Sequence, residues 1–119
     1  MENNRKIRVG ITHGDINGIG YEVILKSFSD ATMLELCTPI VYGSPKVATF
    51  HRKSMDIAIN FCIIGTAEGV QESKLNIINC TEDELKVELS KSTPEAGKAA
   101  LDALERALQD YNDGLIDVL

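Results

Sequence analysis

A chain of 119 residues that is 44% hydrophobic and 25% charged has the length and composition of one small globular domain. Its formal net charge of -6 argues against a general nucleic-acid binder and against attraction to an acidic membrane surface, while leaving room for one small anion at a local site. No apolar run approaches the roughly 20 residues that cross a bilayer, and Cys37, Cys62 and Cys80 form no C-x-x-C pair, which reads as reduced thiols in a cytoplasmic protein.

The polar start of the chain, Met1 to Arg5, carries no apolar signal core and predicts no export. Lys6 to Thr12 predicts a strand with Ile7, Val9 and Ile11 on one face. A glycine loop follows. Tyr21, Ile24, Leu25 and Phe28 then recur at i, i+3, i+4 and i+7, which predicts a helix with one apolar stripe, stopping near Ser29 and Asp30. Thr38 to Tyr42 predicts a second strand, and Pro45 to Arg52 a helix capped by Ser44. Asn60 to Ile64 is a third strand and Gly65 to Ser73 a loop. Leu75 to Cys80 is a further strand whose alternation (Leu75, Ile77, Asn79) is imperfect. Thr81 to Lys91 leaves its structure open, and its carboxylates up to Leu89 read as a solvated face.

Thr93, Pro94 and Glu95 supply an N-cap, a proline at the first helical position and an acid in the positive first turn. Ala96, Ala99, Ala100, Ala103, Ala107, Leu108 and Tyr111 follow the helical period, and the alanines would let this helix lie close against a neighbour. Asn112-Asp113-Gly114 stops it, and Leu115 to Leu119 starts a new strand. Strands alternating with helices predict an α/β fold with a mainly parallel sheet. A core strand normally leads on to another element, so residues 1–119 read as the opening part of a longer protein, without an internal domain boundary.

The glycine loop is the segment with chemical content. Gly14, Gly18 and Gly20 give G-x-x-x-G-x-G, which is neither the dinucleotide fingerprint G-x-G-x-x-G nor the P-loop pattern. Both a structural turn and a ligand-facing loop stay open for it, because ligands of open α/β sheets sit beyond the carboxyl ends of strands. Asp15 reads first as a turn or cap residue and second as a polar wall of a cleft. Glu22 reads as a complement to the helix dipole. His13 stands at a strand end, where ligand contact is the minority reading, and His51, beside Arg52 and Lys53, reads as a surface residue. No spacing supports a nucleophile-base pair or a metal cluster, so no catalytic and no metal-ligating residue is assigned.

Gly10 to Glu22, GITHGDINGIGYE, resembles the N-terminal signature of the 4-hydroxythreonine-4-phosphate dehydrogenase family, written G-[DE]-P-A-G-I-G-P-[DE]; Gly14, Asp15, Gly18, Ile19, Gly20 and Glu22 match it. Ser92 to Ala100, STPEAGKAA, resembles a second segment of that family, opening the helix before a central strand. Leu115 to Leu119 is similar to the start of the strand that runs on into the family's T-[AG]-P-x-x-K motif.

The resemblance implies a three-layer α/β/α fold of the isocitrate/isopropylmalate dehydrogenase type, incomplete in this chain, with two domains about a cleft and a homodimeric assembly. It implies oxidation of 4-phosphooxy-L-threonine by NAD or NADP, with decarboxylation to 3-amino-2-oxopropyl phosphate, in pyridoxal phosphate biosynthesis. A divalent metal (Zn, Mg or Co) held by three histidines would assist. Gly14, Asp15 and Gly18 would shape the cofactor cleft near the nicotinamide. Ile16, Asn17 and Tyr21 stand where the family has Pro, Ala and Pro, which predicts a less rigid loop. Neither His13 nor His51 matches a metal ligand of the family, and its substrate-binding residues fall beyond position 119, so the chain alone is expected to be inactive. The alternatives are another decarboxylating dehydrogenase of the isocitrate/isopropylmalate type and a truncated, non-catalytic anion-binding α/β module.

Overall fold

The computed structural model describes residues 6–81 and 87–119. The greater part of the acidic stretch read as a solvated face, 82–86, and the polar start, 1–5, lie outside them. Four parallel strands, β1 (Ile7–Thr12), β2 (Cys37–Gly43), β3 (Phe61–Ile64) and β4 (Leu75–Asn79), form one sheet in the order β1-β2-β4-β3. The predicted parallel α/β architecture is therefore present, with β2 and β4 in its centre.

Those two strands are buried along almost their whole length. Successive residues point to opposite faces, and both faces are covered. Val41, Leu75 and Ile77 meet α1 (Gly20–Phe28) and α3 (Pro45–Met55) on one side. Ile40, Tyr42 and Ile78 meet Ala103 and Ala107 of α4 (Pro94–Asn112) on the other. This explains the imperfect alternation of Leu75 to Cys80: a strand covered on both faces needs no polar side.

α1 buries Tyr21, Ile24, Leu25 and Phe28, the stripe its spacing predicts. Ser29 caps the end of that helix, and Asp30 directly after it opens α2 (Ala31–Leu36), its carboxylate accepting the Thr32 N–H at 2.9 Å; this short helix was not expected. Ser44 caps α3 through the Val47 N–H at 3.2 Å, as expected. The helix runs three residues past Arg52 and closes on Asp56, which sits in the left-handed region at φ 52°. The loop after β3 holds a single turn of 3-10 helix, Ala67–Gly69.

α4 is capped by Thr93, whose hydroxyl accepts the Ala96 N–H at 3.1 Å. Ala96 and Ala99 join the α1/α3 core, whereas Ala103 and Ala107 join the opposite one, so one helix ties both layers together. Two members of its expected stripe are corrected: Leu108 and Tyr111 are exposed, together with Leu101 and Leu104. The alanine face lies inward because it alone permits close approach to the sheet. A buried polar tie reinforces that approach, the Tyr42 hydroxyl donating to Asp110 Oδ2 at 2.7 Å. The expected strand over Leu115 to Leu119 is not formed as a strand; only an isolated parallel bridge, Val118 to Val9, joins the outer edge of β1. The Asp117 N–H donates to the Arg8 carbonyl at 2.9 Å and the Gly10 N–H to the Val118 carbonyl at 2.8 Å.

Candidate functional site

The loop between β1 and α1 leaves the carboxyl end of the sheet. Gly14 has φ 67°, a left-handed conformation that suits glycine. The Asp15 carboxylate accepts the Asn17 N–H at 3.0 Å, and the Asp15 carbonyl accepts the Gly18 N–H at 3.1 Å, so the turn role read for Asp15 is real. Ile16 is fully buried in the core, and its carbonyl accepts from His51 Nε2 at 2.9 Å. Asn17 is buried as well. Its Oδ1 accepts the Glu88 N–H at 2.7 Å, its Nδ2 donates to the Lys91 carbonyl at 3.0 Å, and its own carbonyl accepts the Ser90 N–H at 2.9 Å. The loop expected to loosen for want of two prolines is instead tied to α3 and to residues 88–91.

His13 is 1% exposed and both ring nitrogens are engaged. Nε2 faces the Ala99 carbonyl at 2.9 Å and Nδ1 the Tyr21 hydroxyl at 2.9 Å. A carbonyl only accepts, so Nε2 carries the hydrogen and Nδ1 accepts from Tyr21. Burial lowers the His13 pKa below its ordinary value, partly opposed by the bond to Ala99. Burial likewise raises the Tyr21 hydroxyl well above its usual range, with the bond to Ser44 pulling the other way. His13 is thus a satisfied core histidine, and the minority reading of ligand contact is withdrawn.

His51 requires the opposite correction. It is 5% exposed, not a surface residue, and stacks on Tyr21 with ring centroids 5.5 Å apart. The signal was present in its spacing, three and four residues beyond the buried Ala48 and Val47.

The loop, α3 and residues 89–92 enclose a cavity of about 460 Å³. Asp15, Gly18 and Glu22 line one wall, His51 and Ser54 a second, and Lys91 a third. Ile19, Phe50 and Leu89 add large apolar surface at the same cavity, and all three are exposed. Of the residues singled out in the sequence, Asp15 and Gly18 meet at this cavity, whereas Gly14 shapes the turn behind it. Ile19, which precedes α1, offers no side-chain cap, so the first amides of the helix have no side-chain acceptor there. Polar groups of both signs beside apolar surface suit an amphipathic ligand of modest size. The arrangement offers walls and hydrogen bonds; among the described residues no three His, Cys, Asp or Glu converge to hold a metal.

Comparison with known proteins agrees with this architecture. Residues 35–119 match the family described as pyridoxal phosphate biosynthetic protein PdxA. Over 119 residues the chain is 66% identical to a 4-hydroxythreonine-4-phosphate dehydrogenase of Bacteroides thetaiotaomicron, covering all of this chain and 32% of that protein. A protein of Oceanobacillus iheyensis, provisionally named D-threonate 4-phosphate dehydrogenase, is 30% identical over 119 residues, covering 98% of this chain and 36% of the relative. The solved structure of a 4-hydroxythreonine-4-phosphate dehydrogenase from Burkholderia phymatum superposes with a TM-score of 0.84 at 27% identity, covering 97% of this chain and 36% of the other. The chain spans about a third of the length of the curated relatives it matches.

Proposed function

Because the chain belongs to the pyridoxal phosphate biosynthetic protein PdxA family, we propose that it is the N-terminal portion of a 4-hydroxythreonine-4-phosphate dehydrogenase. The full-length protein would oxidise the hydroxyl carbon of 4-phosphooxy-L-threonine, with the hydride passing to NAD or NADP and the proton to solvent. The resulting β-keto acid would lose its carboxylate as carbon dioxide and leave 3-amino-2-oxopropyl phosphate. The observation that carries this reading is the 66% identity along the entire chain to a protein of that name, against 30% for the relative named for D-threonate 4-phosphate.

Within that activity residues 1–119 supply one wall of the cofactor cleft, as part of the first of two domains. Asp15 and Gly18, which line the cavity, would face the nicotinamide cofactor, which would supply the hydride acceptor, and Gly14 at φ 67° sets the turn that presents them. A cavity of about 460 Å³ suits one half of such a dinucleotide. Among the described residues no group of side chains fits the divalent metal. Both nitrogens of His13 are spent on protein partners, and His51 Nε2 is held by the Ile16 carbonyl. In this reading the metal is held by other residues of the full-length protein. A homodimer in the cytoplasm completes the reading; no helix among the described residues is long and apolar enough to cross a membrane.

The test is a substrate panel on the full-length protein: 4-phosphooxy-L-threonine, D-threonate 4-phosphate, isocitrate and 3-isopropylmalate, each with NAD and NADP. Reduction of the cofactor is expected with the first alone, lost on chelation and restored by Zn, Mg or Co, and absent from the 119-residue chain by itself. Turnover of another member of the panel in its place, or turnover by the short chain, overturns the assignment.

A further inference from the structure

The loop that carries Asp15 and Gly18 is closed at its base by a single side-chain hydrogen bond. His13 precedes the loop and Tyr21 follows it, and His13 Nδ1 meets the Tyr21 hydroxyl at 2.9 Å. Their rings stand edge to face, with centroids 5.5 Å apart. Each partner is fixed from behind. His13 Nε2 donates to the Ala99 carbonyl of α4, and the Tyr21 oxygen accepts the Ser44 N–H at 2.8 Å. The Tyr21 oxygen takes the Ser44 N–H, and its own O–H has two acceptors, His13 Nδ1 at 2.9 Å and the Ser44 carbonyl at a longer 3.3 Å; with His13 Nε2–H given to Ala99, every polar atom of the pair is used.

The surroundings are shaped for this pair. A Cβ at Gly43 would run into the Tyr21 hydroxyl and would stand 2.8 Å from His13 Nδ1, so β2 ends on the one residue that leaves the pair room. On its other side Tyr21 stacks on His51, whose Nε2 holds the Ile16 carbonyl in the middle of the loop. Neither His13 nor Tyr21 lines the cavity, whereas the residues between them, Asp15, Asn17, Gly18 and Ile19, do.

We infer that His13 and Tyr21 are positioning residues: together they clasp the base of the loop and hold Asp15 and Gly18 in place at the cavity before ligand arrives. The inference rests on the reading of that cavity as part of the cofactor cleft. A clasp of this kind acts on binding through preorganisation, because a loop already in its bound shape loses less freedom when ligand binds. It touches no reacting atom, so its loss falls on KM for the dinucleotide more than on kcat.

The test uses the full-length protein with three variants. Tyr21→Phe keeps the ring and removes the hydroxyl. His13→Phe removes both nitrogens. His13→Gln keeps one donor for Ala99 and one acceptor for Tyr21. The first two are expected to raise KM for the dinucleotide that the wild type reduces by about tenfold or more, with kcat within about threefold. His13→Gln is expected to recover most of the loss. Hydrogen exchange supplies a readout free of catalysis: in Tyr21→Phe, amides of 14–22 exchange about tenfold faster while those of β4 keep their protection.

An unchanged KM with unchanged loop exchange in Tyr21→Phe overturns the clasp. So does a uniform acceleration across all elements, which is the signature of a purely structural role. If the wild type reduces no cofactor with any member of the panel, the functional reading fails, and loop exchange alone then decides the clasp. Should His13→Phe not fold, Tyr21→Phe decides.

Discussion

His13 illustrates how much of a residue's meaning lies in its partners. In the sequence it is one imidazole at the end of a strand, the place where a ligand contact is worth weighing. In the fold, Tyr21 and Ala99 occupy both its nitrogens and water is excluded. That environment makes a prediction with a definite sign. The unfolded chain keeps the ordinary histidine value of 6.5, and burial holds the folded value below it. Between the two values the unfolded state binds more protons, so stability is full above about pH 6.5 and is lost as the pH falls through the folded value. Beside the pair, His51 stacks on Tyr21, and the nearby Cys80 thiol, pushed up to about 11 by burial, stays neutral across this range. Melting temperatures measured from about pH 8 down to about pH 5 are expected to decline on the acid side, with a shallower decline in His13→Gln. An equal decline in that variant would show that the acid loss arises elsewhere.

At the scale of elements, what was legible followed one rule. Where a single local pattern decided the outcome, the sequence sufficed. The stripe of α1 had one apolar face to bury, and the Ser44-Pro45 and Thr93-Pro94 pairs marked helix starts that the structure keeps. Where two patterns competed, it did not. α4 carries an alanine face and a Leu101, Leu104, Leu108, Tyr111 face, both at helical spacing, and only contact with the sheet chooses between them. Asp30, read as part of a helix stop, instead starts the next helix one residue after the Ser29 cap, which concealed α2. Bonds between residues far apart in the chain, such as Asn17 to Glu88 and Lys91, leave no local trace, yet they tie the middle of the glycine loop to residues 88–91. The tie between α4 and β2 belongs here too. Tyr42→Phe removes the donor from the buried Asp110 carboxylate and is expected to cost about 1.5–3 kcal/mol in denaturant unfolding. A loss well under 1 kcal/mol would mean that the alanine face alone seats the helix.

Across the whole molecule, a parallel sheet clothed on both faces presents the glycine loop at its carboxyl end, where open α/β sheets bind their ligands. The sequence located that loop through Gly14, Asp15 and Gly18 but could not see the cavity, because α3 and residues 89–92 complete it from distant parts of the chain. The chain spans about a third of its curated relatives and both its histidines are held by protein partners, which fits the proposal that this part binds and positions while other residues of the full-length protein carry the chemistry. The most direct test of that assignment is stoichiometric: the amounts of reduced nicotinamide cofactor and carbon dioxide formed from 4-phosphooxy-L-threonine by the full-length protein. Equal amounts of both are expected, with 3-amino-2-oxopropyl phosphate as the remaining product. Reduced cofactor without carbon dioxide, or neither product, would contradict it.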